Sequence, residues 1–295
     1  MGKMDQGYDS KPAMVRVGDI DFAYLERGSG PLVLCLHGFP DTAYSFVPVL
    51  ERLAAAGYRA VAPFMRGYYP TGLAPDGDYR LPAIARDVPG LIEALGAERA
   101  HLVGHDWGAA TTYFAATMFP ERIGAVVTAA IPHLRRFLLR PSLKQLRRSW
   151  YIGYFQWRRG PERRIVRDDF AWLDWLIREW SPGWRYTDDD MVPLHETLGR
   201  PDHCAAALGY YRALPRTLMQ GDSWRTIRTP LPVPAKVIYG TEDGCIGPEM
   251  FEDQAYCYGA GLDLVCMKGA GHFMQCERPD RFADEVIGFL RRHPL

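Results

Sequence analysis

The spacing of apolar positions changes period along the chain, and each change marks an element. Residues 14–19 and 20–27 alternate apolar with polar and read as paired strands turned at Gly18-Asp19. Residues 31–36, PLVLCL, are an unbroken apolar run, which suits a strand covered on both faces in a parallel sheet. Phe46, Val49, Leu50 and Leu53 recur at helical intervals over 44–56, and Gly57 ends the stretch. Residues 58–62 read as a strand. A helical pattern over 81–95 contains Pro89-Gly90, which is expected to kink or divide it. Strands at 100–103 and 123–131 bracket a helical stretch at 109–118. Alternation of strand and helix at this interval predicts βαβ units, a mostly parallel sheet and an α/β fold.

The pattern breaks after residue 132. No buried-strand run occurs from 133 to about 229. Leu143, Leu146, Trp150, Tyr151 and Tyr154 have helical spacing, as do Phe170, Trp172, Trp175, Leu176 and Ile177. Six of the eight tryptophans lie between Trp150 and Trp184, and most of them are expected to pack this module. The βαβ pattern returns with a strand at 235–239, a helical segment near 249–258, a strand at 262–267 and a last helix over 279–292. The predicted organisation is an α/β core in two parts, 1–132 and 230–295, interrupted by a helical cap at 133–229.

Composition narrows the function only by exclusion. The 295 residues are 47% apolar and 24% charged, which argues against disorder, collagen and coiled coil. Lys+Arg and Asp+Glu both number 35, so no global surplus recommends nucleic acid or an anionic membrane as partner. One local run stands out: residues 135–167 hold eleven Lys/Arg and a single acid, Glu162. Such a run suits a membrane-surface or nucleic-acid helix, but residues 168–190 then hold seven acids, and the expectation is two helices of opposite charge solvating one another's rims. Residues 1–11 lack the apolar core of a signal peptide, and Gln6 stands where myristoylation at Gly2 wants Ser or Thr. The apolar stretch 124–132 is far short of the roughly 20 residues a bilayer needs. The six cysteines form no CxxC pair, and Cys35 and Cys266 read as buried small hydrophobes. A soluble cytoplasmic chain with reduced thiols is expected, with no nucleic-acid partner and no stable membrane anchor; a homodimer is left open.

Chemistry concentrates in three loops. Gly104-His105-Asp106-Trp107-Gly108 follows a buried strand and opens a helix, with the glycine spacing of a nucleophile elbow. The central residue is Asp, not Ser. Gly269-Ala270-Gly271-His272 follows the last strand and presents a histidine. Thr241-Glu242-Asp243-Gly244 follows the strand before it and presents a carboxylate, with Glu242 as fallback. Strand C-termini of a parallel sheet share one edge, so the three loops converge. An acid after the 123–131 strand is excluded, because no Asp or Glu occurs between Gly124 and Arg136. Without His272 and Asp243, Asp106 would read as a helix N-cap. His101 and His105 have i,i+4 spacing but no third ligand, so no metal is expected, and no cofactor.

With these residues in view, the chain resembles the α/β-hydrolases, and within them the soluble epoxide hydrolases, from about Met14 onward. His37-Gly38-Phe39-Pro40 is similar to that family's oxyanion-hole loop. The elbow matches its nucleophile motif, and equally that of haloalkane dehalogenases. Residues 149–156, SWYIGYFQ, resemble the segment bearing a first ring-opening tyrosine, and Tyr210-Tyr211-Arg212 the segment bearing a second. Phe64 departs from the Asp many relatives carry before the M-R-G turn. The resemblance implies Asp106 as nucleophile, His272 as base, Asp243 as its orienting acid, and the Phe39 and Trp107 N–H groups as oxyanion donors. It implies Tyr151 and Tyr211 as proton donors, with Tyr154 and Tyr210 as their rivals. Trp107, Phe39 and Tyr154 are the expected substrate contacts.

The chemistry of a carboxylate nucleophile fits this. It is ionised at pH 7 without a base and can alkylate at an sp³ carbon with a protonated leaving group. A departing epoxide oxygen needs a proton, which a phenol can supply. Haloalkane dehalogenases commonly place Asn where Phe39 stands, and fluoroacetate dehalogenases place Arg where Trp107 stands. A small apolar epoxide is therefore the expected substrate, with haloalkane as the alternative and a non-catalytic ligand-binding protein of this fold as a third reading.

Overall fold

The structure is a computed structural model and describes residues 11–295, so the expectations for the first ten residues lie outside it. The strands are β1 (Ala13–Val17), β2 (Ile20–Arg27), β3 (Leu32–Leu36), β4 (Arg59–Pro63), β5 (Ala100–His105), β6 (Ile123–Ala129), β7 (Ala235–Gly240) and β8 (Leu262–Met267). They form one sheet in the order β1-β2-β4-β3-β5-β6-β7-β8. The β1–β2 and β2–β4 pairs are antiparallel and all others parallel. Every residue of β3 is buried, as its unbroken apolar run requires, and so is every residue of β5, its two histidines included. Helices α1 (Val47–Ala55), α2 (Leu81–Ala94), α3 (Trp107–Met118), α13 (Met274–Glu277) and α14 (Pro279–Arg291) belong to this core. α1 packs with α14, and α2 with α3.

Between β6 and β7 run α4 (Leu134–Leu139), α5 (Leu143–Arg148), α6 (Trp150–Tyr154), α7 (Gly160–Val166), α8 (Ala171–Trp180), α9 (Asp188–Leu198), α10 (Pro201–Arg212), α11 (Leu214–Met219) and α12 (Gly221–Arg228). No helix among the described residues is long and apolar enough to cross a membrane.

Several local expectations are corrected. α2 is not divided at Pro89 and continues to Ala94. An internal proline costs about 3 kcal/mol, but this helix buries Leu81, Ile84, Val88, Leu91 and Ile92. Its Gly90 lets Val17 of β1 pack where a side chain would stand. The segment near 249–258 is two single 3₁₀ turns, Pro248–Met250 and Ala255–Cys257, because Asp253 between them is left-handed at φ 51°. Cys266 is half-buried, since β8 is an edge strand.

The glycines of the elbow are there for closeness. A Cβ on Gly108 would strike the Leu36 carbonyl in β3, and one on Gly104 would lie 2.5 Å from Thr112 Oγ1. Gly108→Ala should therefore force α3 off the sheet and cost about 3 kcal/mol or more. Gly153, at the surface of α6, has open space around the same position. Gly153→Ala should be neutral or stabilising by about 0.5–1 kcal/mol. Urea unfolding of both variants measures the contrast, and equal midpoints would contradict it.

Candidate active site

The loops after β3, β5, β7 and β8 meet at one edge of the sheet, as the order of strands dictates. Asp106 sits between β5 and α3 at φ 52° and ψ −117°, and is 4% exposed. That backbone conformation is strained by about 1–3 kcal/mol in a residue with a side chain. It lifts the carboxylate to where Phe39 N–H donates to its Oδ1 at 2.8 Å. Gly38 makes this approach possible, because a Cβ there would overlap Asp106 Oδ1. The loop that carries Phe39 is held in turn by buried His37, whose Nδ1 donates to the Gly38 carbonyl and whose Nε2 accepts from Met65 N–H, each at 3.0 Å. Burial lowers the pKa of His37, in keeping with this neutral form.

Asp243 is 2% exposed and its two oxygens have separate tasks. Oδ1 accepts from the N–H groups of Cys245 and Ile246, at 2.7 and 2.8 Å. Oδ2 is thereby aimed at His272 Nδ1, 3.0 Å away. Glu242, the fallback, is exposed. The His272 ring is fully buried, and its Nε2 points at Asp106 Oδ2 across 3.7 Å, too long for a hydrogen bond. His105 Nε2 donates to the His272 carbonyl at 3.0 Å and Ser181 Oγ accepts from Phe273 N–H at 2.8 Å, so the histidine loop is fixed on both sides. Burial alone would strip His272 of its proton. The carboxylates of Asp243 and Asp106 outweigh burial and raise its pKa to about 10.

Above this triad lie two phenols from separate helices. Tyr151 in α6 is 3% exposed and its hydroxyl pairs with Cys245 Sγ at 3.2 Å. Tyr211 in α10 is 2% exposed, with an unpaired hydroxyl and its ring 5.0 Å from Trp107 and 5.4 Å from Phe39. The two rings are 5.8 Å apart. Burial first, and the Asp106 charge in addition, hold both phenols well above the usual pKa.

Comparisons with known proteins bear on the family and the fold. Residues 31–279 match the model of the alpha/beta hydrolase fold family. The chain is 31% identical to the AB hydrolase superfamily protein YfhM of Bacillus subtilis, covering 90% of this chain and 92% of that one. It is 30% identical to Epoxide hydrolase 2 of Siraitia grosvenorii, covering 90% and 93%. The chain belongs to the α/β-hydrolase family, in its epoxide hydrolase branch. Among solved structures, Epoxide Hydrolase A of Mycobacterium thermoresistibile superposes with a TM-score of 0.82 at 25% identity, covering 97% of this chain and 99% of that one.

In this α/β-hydrolase the rival tyrosines part company. Tyr210 donates to the Arg66 carbonyl at 2.8 Å and stacks on Tyr79, so its hydroxyl is committed elsewhere. Tyr154, expected as a substrate contact, packs among Trp150, Trp157 and Trp172 with Arg164 over its ring. Among the described residues no ring contact joins it to Tyr211 or Trp107; its ring is taken up by the tryptophans and by Arg164 instead.

Three site residues were not legible in the sequence. Cys245 is the partner of Tyr151. Trp180 places its ring 5.2 Å from His272. Tyr68 is 1% exposed with an unpaired hydroxyl, and the Asp106 charge adds to burial in raising its pKa. Asp243, Cys245 and His272 bring one ligand atom each within 4.8 Å of one another. Both Asp243 oxygens are already engaged, which leaves this group poorly suited to a cation.

Proposed function

We propose that this protein hydrolyses epoxides to vicinal diols through an ester on Asp106, with residues 133–229 as a cap over core parts 1–132 and 230–295. The observation that carries the reading is the pair of buried phenols, Tyr151 and Tyr211, on two different helices and both within the field of the Asp106 carboxylate. Asp106 Oδ2 attacks one epoxide carbon, and the C–O bond on the far side breaks. The departing oxygen takes hydrogen bonds from both phenols and a proton from one. Substrate displaces Cys245 from the Tyr151 hydroxyl.

Alkylation makes Asp106 neutral. One of the two carboxylates that raise the His272 pKa is then gone, and Nε2 can give up its proton. That proton restores the phenol, through water, and the freed nitrogen becomes a base. His272, oriented by Asp243, deprotonates a water that adds to the ester carbonyl. The Phe39 and Trp107 N–H groups stabilise the oxyanion. Collapse releases the diol and regenerates the carboxylate, so one epoxide and one water give one diol.

The test compares Tyr151→Phe, Tyr211→Phe and the double variant on one epoxide and one bromoalkane. Each single change should slow epoxide opening about 10²-fold, as for one lost oxyanion-type donor. The double change should nearly abolish it and barely alter bromide release, which needs no proton. Normal epoxide opening by the double variant would place the donors elsewhere. Haloalkane turnover above epoxide turnover in the parent would make the protein a dehalogenase.

A further inference from the structure

Helix α5 is turned inside out. Its one buried residue is polar: Gln145 donates to the Cys245 carbonyl at 2.9 Å and accepts from Gly247 N–H at 3.0 Å, on the loop that carries Asp243. Those bonds fix the rotation of the helix. Positions 143, 146 and 150, spaced i, i+3, i+7, therefore emerge on the outer side. Leu143 is 80% exposed, Leu146 56% and Trp150 45%. The apolar strip continues through ring contacts from Trp150 to Tyr154 at 6.0 Å and on to Trp157 at 6.2 Å, and Trp157 is 69% exposed. Trp150 and Trp157 thus stand apart from the tryptophans that pack the module. A contiguous outward apolar strip marks an interaction surface.

The charge around the strip is predominantly basic. Lys144, Arg147, Arg158, Arg159, Arg163 and Arg164 are exposed. The acids at 168–190 do not neutralise them: among the described residues, the one ion pair between the two stretches joins Arg167 to its neighbour Asp168. Glu162, the single acid in the run, is drawn onto Arg212 at 2.7 Å. A surface groove of about 570 Å³, lined by Arg163, Arg164, Arg167, Asp168 and Trp172, opens beside Tyr154.

We infer that this face docks reversibly on an anionic lipid surface. Leucine and tryptophan enter the boundary between headgroups and acyl chains, and flanking Lys/Arg meet the phosphates. A second copy of the chain is the poorer occupant, because a two-fold contact would set this cationic rim against its own image. Docking has a consequence for the site. Trp150 points outward from the same short helix that turns Tyr151 inward, so the roof over Asp106 rests where apolar substrates accumulate. The inference concerns binding and does not depend on the reaction proposed above.

The test is cosedimentation with vesicles of phosphatidylcholine alone and of phosphatidylcholine with about one third phosphatidylglycerol, at low and high salt. The parent should pellet with the anionic vesicles at low salt and be released by high salt. Arg147→Gln/Arg158→Gln removes two surface charges and should weaken binding about 25-fold, at about fivefold per charge. Leu146→Ser/Trp157→Ser should weaken it at least as much. Both variants should open a water-soluble epoxide at the parent rate, which shows that they are folded. No pelleting of an active parent, or equal pelleting with neutral vesicles, would overturn the inference. So would a concentration-dependent dimer in sedimentation that Leu146→Ser/Trp157→Ser dissolves, which would make the strip a self-interface.

Discussion

Asp106→Ala should give a folded protein whose epoxide turnover falls by about 10⁴–10⁶-fold, the range for losing a nucleophile from an intact triad. The fold should survive because the alanine occupies the same strained backbone and only the carboxylate is lost. Its Oδ1 is held by Phe39 N–H, and no second carboxylate stands on the elbow to replace it. The same assignment has a signature in the parent enzyme. In a single turnover in ¹⁸O-water, label should appear in the Asp106 peptide and not in the diol. The reason is that water adds to the ester carbonyl, and the original carboxylate oxygen leaves with the product. Labelled diol from a single turnover would mean direct attack by water. Near-normal activity of a folded Asp106→Ala variant would remove the nucleophile altogether.

The elbow was legible because its glycines answer to sterics that the sequence states: nothing larger than hydrogen fits at Gly108 against Leu36. Asp243 was legible by elimination along a topology that periodicity had already supplied. Orientation was much less legible. Tyr210 and Tyr211 are neighbours on α10, about 100° apart, and nothing in the sequence sets the rotation of that helix. The Arg66 carbonyl does so, by taking the Tyr210 hydroxyl and leaving Tyr211 to face Asp106. The same gap explains α5. The spacing of Leu143, Leu146 and Trp150 predicts a helix with one apolar face, but not which way the face looks. Gln145 decides that, through two bonds to a loop about a hundred residues away in sequence. Tyr68 lies outside any periodic segment, and Cys245 gains meaning only from the phenol beside it. Neutralisation of 135–167 by 168–190 failed both as arithmetic, since Arg178 and Arg185 sit among the seven acids, and as geometry, because ion pairs depend on facing side chains rather than on neighbouring counts.

His272→Gln should separate the two halves of the reaction. The nucleophile needs no base, so Asp106 should still open the epoxide, and the ester should then persist. General-base catalysis contributes about 10²–10⁴-fold, enough for the adduct to accumulate to one substrate per chain. Intact-protein mass spectrometry after mixing with epoxide reads it directly. Loss of activity with no adduct would put His272 in the first step. The pH dependence of the parent follows from the same charges. In the free enzyme two carboxylates raise the His272 pKa to about 10, above its ordinary 6.5. A raised pKa means that folding favours the imidazolium. This stabilisation is complete below pH 6.5 and is lost as pH climbs toward 10. In the ester state only Asp243 still holds the proton, so the pKa falls. Hydrolysis of the ester should accordingly rise with pH to a plateau whose midpoint lies below that of the free enzyme. Stopped-flow measurement of ester decay against pH, set beside the NMR titration of His272 in the resting enzyme, gives both midpoints. Equal midpoints would mean that the Asp106 charge does not govern the base, and the coupling between the two half-reactions would have to be sought elsewhere.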